Sequence, residues 1–159
     1  MSTPEDRLYE AASKQLWMVV FCLVEKHKQH LGSPIERLML EALVAYSLTD
    51  EIKIPRINDD AGSNGSWQIE TQKQLGQYRV DFLLTDTDYD VKVVIECDGH
   101  DFHERTKEQA ERDRTRDRSL QAAGYLVLRY TGAEIWRDPF KCAEDVRHKI
   151  FQFDAARQT

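Results

Sequence analysis

The chain has 159 residues, with 22 Lys and Arg against 28 Asp and Glu for a net charge of −6, which fits one domain and excludes a bulk polycation that holds nucleic acid by charge alone. A hydrophobic fraction of 41% excludes a disordered composition. Three scattered cysteines, Cys22, Cys97 and Cys142, with no CxxC spacing, argue against a disulfide framework or a Cys-based zinc site and for a reducing cytoplasm. The longest apolar run, Leu16 to Val24, falls short of the ~18 residues a membrane span needs, and the first residues carry no signal-peptide pattern, so a soluble protein without a membrane partner is expected.

From Glu5 to His30 the apolar residues Leu8, Ala11, Ala12, Leu16, Val19, Val20, Leu23 and Val24 recur at helical steps, and Gly32 stops the pattern. Ser33-Pro34-Ile35-Glu36 reads as the start of a second helix, with serine as N-cap, proline at the first position and glutamate placed for a capping box. Asn58 to Ser66 is polar and glycine-bearing, hence a loop. Strands are expected over Trp67 to Leu75, Tyr78 to Thr85 and Val91 to Cys97, with Asp86 to Asp90 as the turn of the last hairpin. Glu104 to Ala123 reads as a helix closed by Gly124, Tyr125 to Tyr130 as a short buried strand, Ala133 to Trp136 as a short helix, and Phe140 to about Phe153 as an amphipathic helix. The fold class is therefore α/β, a mixed sheet flanked by helices in the main order α-α-β-β-β-α-β-α. One domain spans 1–159, with an N-terminal helical extension over 1–31, a core over 33–136 and a C-terminal helix over 139–154.

The hairpin carries the most chemical information. With the turn centred between Asp88 and Tyr89, Asp81 and Glu96 become cross-strand neighbours, and Asp98, two residues beyond Glu96, shares its strand face. Three carboxylates on one surface repel unless protonated or neutralised, and a hard divalent cation held by oxygen ligands is the usual solution. The competing reading, a solvent-facing ion pair, is weakened because Val80-Asp81-Phe82 and Ile95-Glu96-Cys97 place charge inside otherwise apolar strands.

Gln72, Tyr78-Arg-Val-Asp81-Phe82, the string Glu96-Cys-Asp98-Gly99-His100-Asp-Phe-His103, Arg112-Asp113 and Gly124-Tyr-Leu-Val-Leu-Arg129 together resemble the very-short-patch-repair-like branch of the PD-(D/E)xK endonuclease superfamily, across roughly Ser33 to Trp136. The resemblance implies a restriction-endonuclease-like core and Mg²⁺, or Mn²⁺, held by Asp81, Glu96 and Asp98. It also implies hydrolysis of phosphodiester bonds in DNA, in a repair or mobile-element setting, with RNA left as an alternative substrate. Glu36 matches a glutamate that many members place near the metal. Where the superfamily pattern has lysine two residues after the second acid this chain has Asp98, which leaves the lysine's role to another group. His103 is the candidate, with His100 as runner-up, because a histidine near its free pKa trades protons at neutral pH.

Other patterns are weaker. His100, His103 and Asp98 lack a further ligand at zinc spacing, and Asp86 to Cys97 lacks the glycine and the glutamate of a calcium loop. His27, His30 and His148 read as solvated surface. Arg105, Arg112 and Arg116 fall on one side of the charged helix, where each either meets phosphate or pairs with the acidic site, and Arg129 is a further phosphate candidate. The N-terminal helix, through Trp17, Met18 and Phe21, either covers the sheet or joins a second copy into a homodimer. A second functional reading keeps the fold and drops the chemistry, leaving a nucleic-acid-binding or regulatory module with a degenerate site.

Overall fold

The computed structural model describes residues 3–50, 55–58, 65–99 and 106–158. His100, His103 and Arg105, and most of the loop expected after Asn58, lie outside them. Helices α1 (Pro4–Glu25) and α2 (Pro34–Asp50) precede strands β1 (Arg56–Ile57), β2 (Trp67–Leu75), β3 (Tyr78–Asp86) and β4 (Val91–Asp98); α3 (Lys107–Ala122), β5 (Leu126–Thr131), α4 (Gly132–Arg137) and α5 (Pro139–Arg157) complete the chain. The sheet runs in the order β1-β2-β3-β4-β5, with parallel pairs at both ends and antiparallel pairs between. It is the expected α/β architecture, a mixed sheet flanked by helices, with one addition. The two-residue β1 is too short to show any alternation in sequence.

Several boundaries move for identifiable reasons. The first helix ends at Glu25, and Lys28–His30 forms a separate 3-10 turn. His27 leaves the expected solvated surface, since its ring nitrogen Nδ1 sits 3.2 Å from the side-chain amide of Asn58, half-buried. Helix α3 starts at Lys107, because Thr106 is extended and caps it reciprocally with Gln109, so Glu104 precedes the cap. Its end is as expected, with Gly124 at φ +88° just past the C-cap. β5, expected to be buried, is an edge strand of the described sheet, and only its Tyr130 is fully covered.

Two layers of apolar side chains flank the sheet. The larger joins Met39, Leu40 and Leu43 of α2 and Val146 and Ile150 of α5 to Trp67, Ile69, Phe82, Leu84, Val93 and Ile95. The smaller, on the α3 side, is Val80, Leu83, Val94 and Leu120. Strand alternation sends Phe82 and Leu84 to one face and Leu83 to the other, as period two requires. Val80 has the parity of Phe82 but lies in the α3 cluster, so the alternation of β3 breaks at Asp81.

Candidate active site

The register of β3 against β4 pairs Phe82 with Ile95, Leu83 with Val94 and so on to Asp86 with Val91, and the ladder's last pair is Phe82 and Ile95. Asp81 and Glu96 are the next positions on each strand, so the hairpin symmetry read from the sequence is the symmetry of the structure. Past that last pair the Asp81 carboxylate takes over the backbone's role, its Oδ2 accepting the Cys97 N–H at 2.8 Å.

A second irregularity lies across from Asp81 on β2. Pairs run from Trp67 with Asp86 to Thr71 with Phe82, and again from Lys73 with Val80, but Gln72 and Asp81 do not pair. Gln72 has φ +50°, a left-handed backbone that is uncommon for a residue with a side chain. Its Nε2 donates to Oε2 of Glu36 at 2.7 Å and to Oδ1 of Asp81 at 3.2 Å. The same Glu36 oxygen accepts the Gly32 N–H at 2.8 Å, while the Ser33 hydroxyl accepts the Glu36 N–H, as expected of the cap. A Cβ on Gly32 would stand 2.8 Å from Glu36 Oε1. Gly32 therefore leaves room for the carboxylate, beyond ending a helical pattern.

Glu96 and Asp98 project from β4 beside the arginines. Arg116 of α3 donates through Nη2 to Oε1 of Glu96 and to the Arg79 carbonyl. Arg129 of β5 grips Asp117 of α3 with two nitrogens, at 3.1 and 2.8 Å, and reaches Oδ1 of Asp98 with the third at 3.3 Å. Arg112 is exposed on the outer side of α3, near Tyr78, Glu108, Glu111 and Thr115. Of the four arginines named from the sequence, Arg116 thus takes the site-pairing option, Arg129, expected to meet phosphate, is instead taken up by Asp117 and Asp98, Arg112 faces solvent, and Arg105 is outside the described residues.

Glu36, Glu96 and Asp98 are all buried, each at most 9% exposed. Burial, the nearby Asp81 charge and that of Asp98 push the Glu96 carboxyl up to about 7, against the opposing pull of Arg116 and Arg129. Asp81 is raised above the ordinary carboxylate range, first by burial and then by Glu36, against the Cys97 and Gln72 hydrogen bonds and the Arg116 charge. Burial by itself would lower the Arg129 guanidinium; the Asp117 pair and the charges of Asp98 and Glu96 more than reverse that, so it stays cationic.

Carboxylate oxygens of this kind suit a hard divalent ion. The expected ligand set of Asp81, Glu96 and Asp98 does not come together as such: no three His, Cys, Asp or Glu side chains among the described residues form a possible metal site, and Asp98 pairs with Arg129, leaving Asp81 and Glu96 as a pair of oxygen donors. Mg²⁺ is typically bound in that way, through one or two carboxylates. A cation there would offset the burial and like-charge repulsion that raise both acids, Glu36 acting on Asp81 and Asp81 on Glu96. Sequence reasoning found Glu36, Asp81, Glu96 and Asp98, which the fold brings to one end of the β3–β4 hairpin. In the sequence Gln72 is visible only as part of a motif, and the contributions of Gly32 and Asp117 leave no sequence signal because they are conformational.

No curated protein and no solved structure matches the chain. A family model described as REase_MTES_1575, of the restriction-endonuclease-like type, matches residues 61–150, more than half of the sequence. That span contains Gln72, Asp81, Glu96, Asp98, Arg116 and Arg129, and leaves Glu36 outside. With the mixed sheet and the acidic end of its central hairpin, the match makes the chain a member of the restriction-endonuclease-like family REase_MTES_1575.

Proposed function

We propose that the protein is a Mg²⁺-dependent endonuclease that hydrolyses phosphodiester bonds in DNA, in a repair or mobile-element setting, and that within its family it is similar to the very-short-patch-repair-like branch. The observation that carries the reading is the convergence of half-buried Asp81 and buried Glu96 at the end of the β3–β4 ladder, where the Asp81 charge raises the Glu96 carboxyl, flanked by Glu36 and Asp98. When bound, the ion supplies Lewis-acid polarisation of the phosphate and a more acidic water. Asp81 and Glu96 would hold it, with Mn²⁺ an acceptable substitute. Glu36 fixes Asp81 through the shared Gln72 amide, and Asp98 fixes Arg129 against Asp117. His103, from the Glu96-x-Asp98-Gly99-x-x-His103 string, carries the proton, and Arg112 and Arg105 meet phosphates.

The test is plasmid cleavage at low salt with Mg²⁺, Mn²⁺ or EDTA, beside Asp81→Asn and Glu96→Ala. Metal-dependent cleavage lost in both variants is expected; cleavage at the wild-type rate in both would sink the assignment. A parallel RNA substrate separates the two nucleic acids.

A second reading, a nucleic-acid-binding module without turnover, is favoured by one observation. Glu96 and Asp98 are each already paired with a guanidinium, Arg116 and Arg129. It predicts DNA binding with no cleavage under any divalent ion, and a single metal-dependent nick ends it.

A further inference from the structure

We propose that Gln72 is the positioning residue of this site: its left-handed backbone turns one neutral amide between Glu36 and Asp81, locking both carboxylates in the arrangement that receives the metal. The inference rests on the metal-dependent reading above and assigns a role to a residue outside the acidic set.

Three features of Gln72 are unnecessary for a strand residue. It interrupts the β2–β3 ladder at the single position opposite Asp81, while the register on either side continues unchanged. It holds φ +50°, in mid-strand, where neither turn nor bulge requires it. Such outliers persist only where the surroundings over-determine them. Its side chain bonds two acids that are 36 and 9 residues away in the chain, on α2 and on β3. The two hydrogens of one amide nitrogen serve both acceptors, and the group adds no charge. A lysine or arginine there would compete with a cation for the same oxygens, and a glutamate would add another anion. Glu36 also accepts the Gly32 N–H, and Asp81 the Cys97 N–H, so the amide closes a chain of bonds running from the start of α2 to the C-terminal end of β4.

A residue kept for the fold and a residue kept for the site predict opposite outcomes when the strain is removed. Glycine adopts positive φ freely, so Gln72→Gly releases the backbone while deleting the amide. Asparagine tolerates the left-handed region better than most residues but is one methylene shorter, too short to bridge both acids. The experiment measures thermal melting in EDTA, the rise in melting temperature with added Mg²⁺, and calorimetric Mg²⁺ titration for the wild type and both variants, with plasmid cleavage alongside. Expected are melting of Gln72→Gly at or above the wild-type temperature and a Mg²⁺ concentration for half-saturation at least tenfold higher in both variants. A fall in kcat for cleavage should accompany these. A Gln72→Gly protein that melts well below the wild type, or either variant taking up Mg²⁺ like the wild type, overturns the inference. A wild type that neither binds Mg²⁺ nor cuts overturns the metal-dependent reading and this inference with it, whereas a wild type that does both while the variants match it overturns the inference alone.

Discussion

Arg147 of α5 places Nη1 2.7 Å from Oδ2 of Asp86, two charged side chains 61 residues apart in sequence and both buried. The same Asp86 oxygen accepts the indole N–H of Trp67 at 2.9 Å, and the other oxygen accepts the backbone N–H groups of Asp88 and Tyr89. Arg147 also lies over the rings of Phe151, Tyr89 and Trp67. The network ties the β3–β4 turn to the C-terminal helix at the end of the sheet away from the acidic site.

Removing one member leaves a buried charge without its partner, which typically costs about 3–5 kcal/mol. Arg147→Met should lower unfolding free energy by that order in denaturant titration, and Arg147→Lys, which keeps the charge and loses the stacking, by less. Equal stability of all three proteins would show that the pair contributes nothing.

The Glu96 carboxyl gives the fold a pH signature. Its acid form persists to about 7 in the folded chain and only to about 4.5 in the unfolded one. Between those values the native state holds more protons, so stability falls as pH rises through that window. The full span corresponds to about 3 kcal/mol as a ceiling. Denaturant titrations in EDTA at several pH values from 5 to 8 should show a steeper decline in the wild type than in Glu96→Gln, and identical slopes would remove Glu96 as the cause.

Gly32→Ala tests the room around Glu36. The added Cβ meets Glu36 Oε1 at 2.8 Å, which forces the carboxylate to shift, while Gly32 needs no left-handed backbone. Cleavage should fall at least tenfold, about 1.4 kcal/mol of transition-state stabilisation, with little change in melting temperature. Wild-type activity in this variant would show that the Glu36 position is not critical.

The arginines divide by environment. Arg129, held by Asp117 and Asp98, should cost stability when replaced, and Arg129→Lys should not restore it because lysine cannot make the two-pronged contact. Exposed Arg112 should leave melting unchanged as Arg112→Ala, yet reduce the slope of log binding constant against log salt for DNA by about one. A binding curve for Arg112→Ala that superimposes on the wild type at every salt concentration would exclude that phosphate contact.

What the sequence made legible was what periodicity and pairing control. The α/β order follows from helical and strand periods, and the meeting of Asp81 with Glu96 follows from arithmetic on the turn, because antiparallel register is fixed once its centre is known. The capping pattern at Ser33 and Glu36 announced the helix, but not that the Glu36 carboxylate would accept the Gly32 N–H and the Gln72 amide. Less visible were features that depend on tertiary contact: the left-handed backbone at Gln72, the Arg147 and Asp86 pair, and the inward turn of Arg116. A charged helix reads the same whether its arginines face water or a buried carboxylate. Two-residue β1 and the edge position of β5 escaped because neither leaves a periodic trace.

The fixed register makes the β3–β4 turn a ruler for the distant acids. Thr87 to Asp90 connects the strands, and Asp81 lies five residues back from Asp86, roughly 17 Å along an extended strand. Inserting or deleting one residue in this solvent-facing turn would slide β4 by one position, putting Glu96 on the opposite face and a neighbour across from Asp81. The length of an outwardly unremarkable loop is thus as constrained as the carboxylates themselves, and Asp86, bonded to the Asp88 and Tyr89 amides and to Arg147, is what holds that length in place.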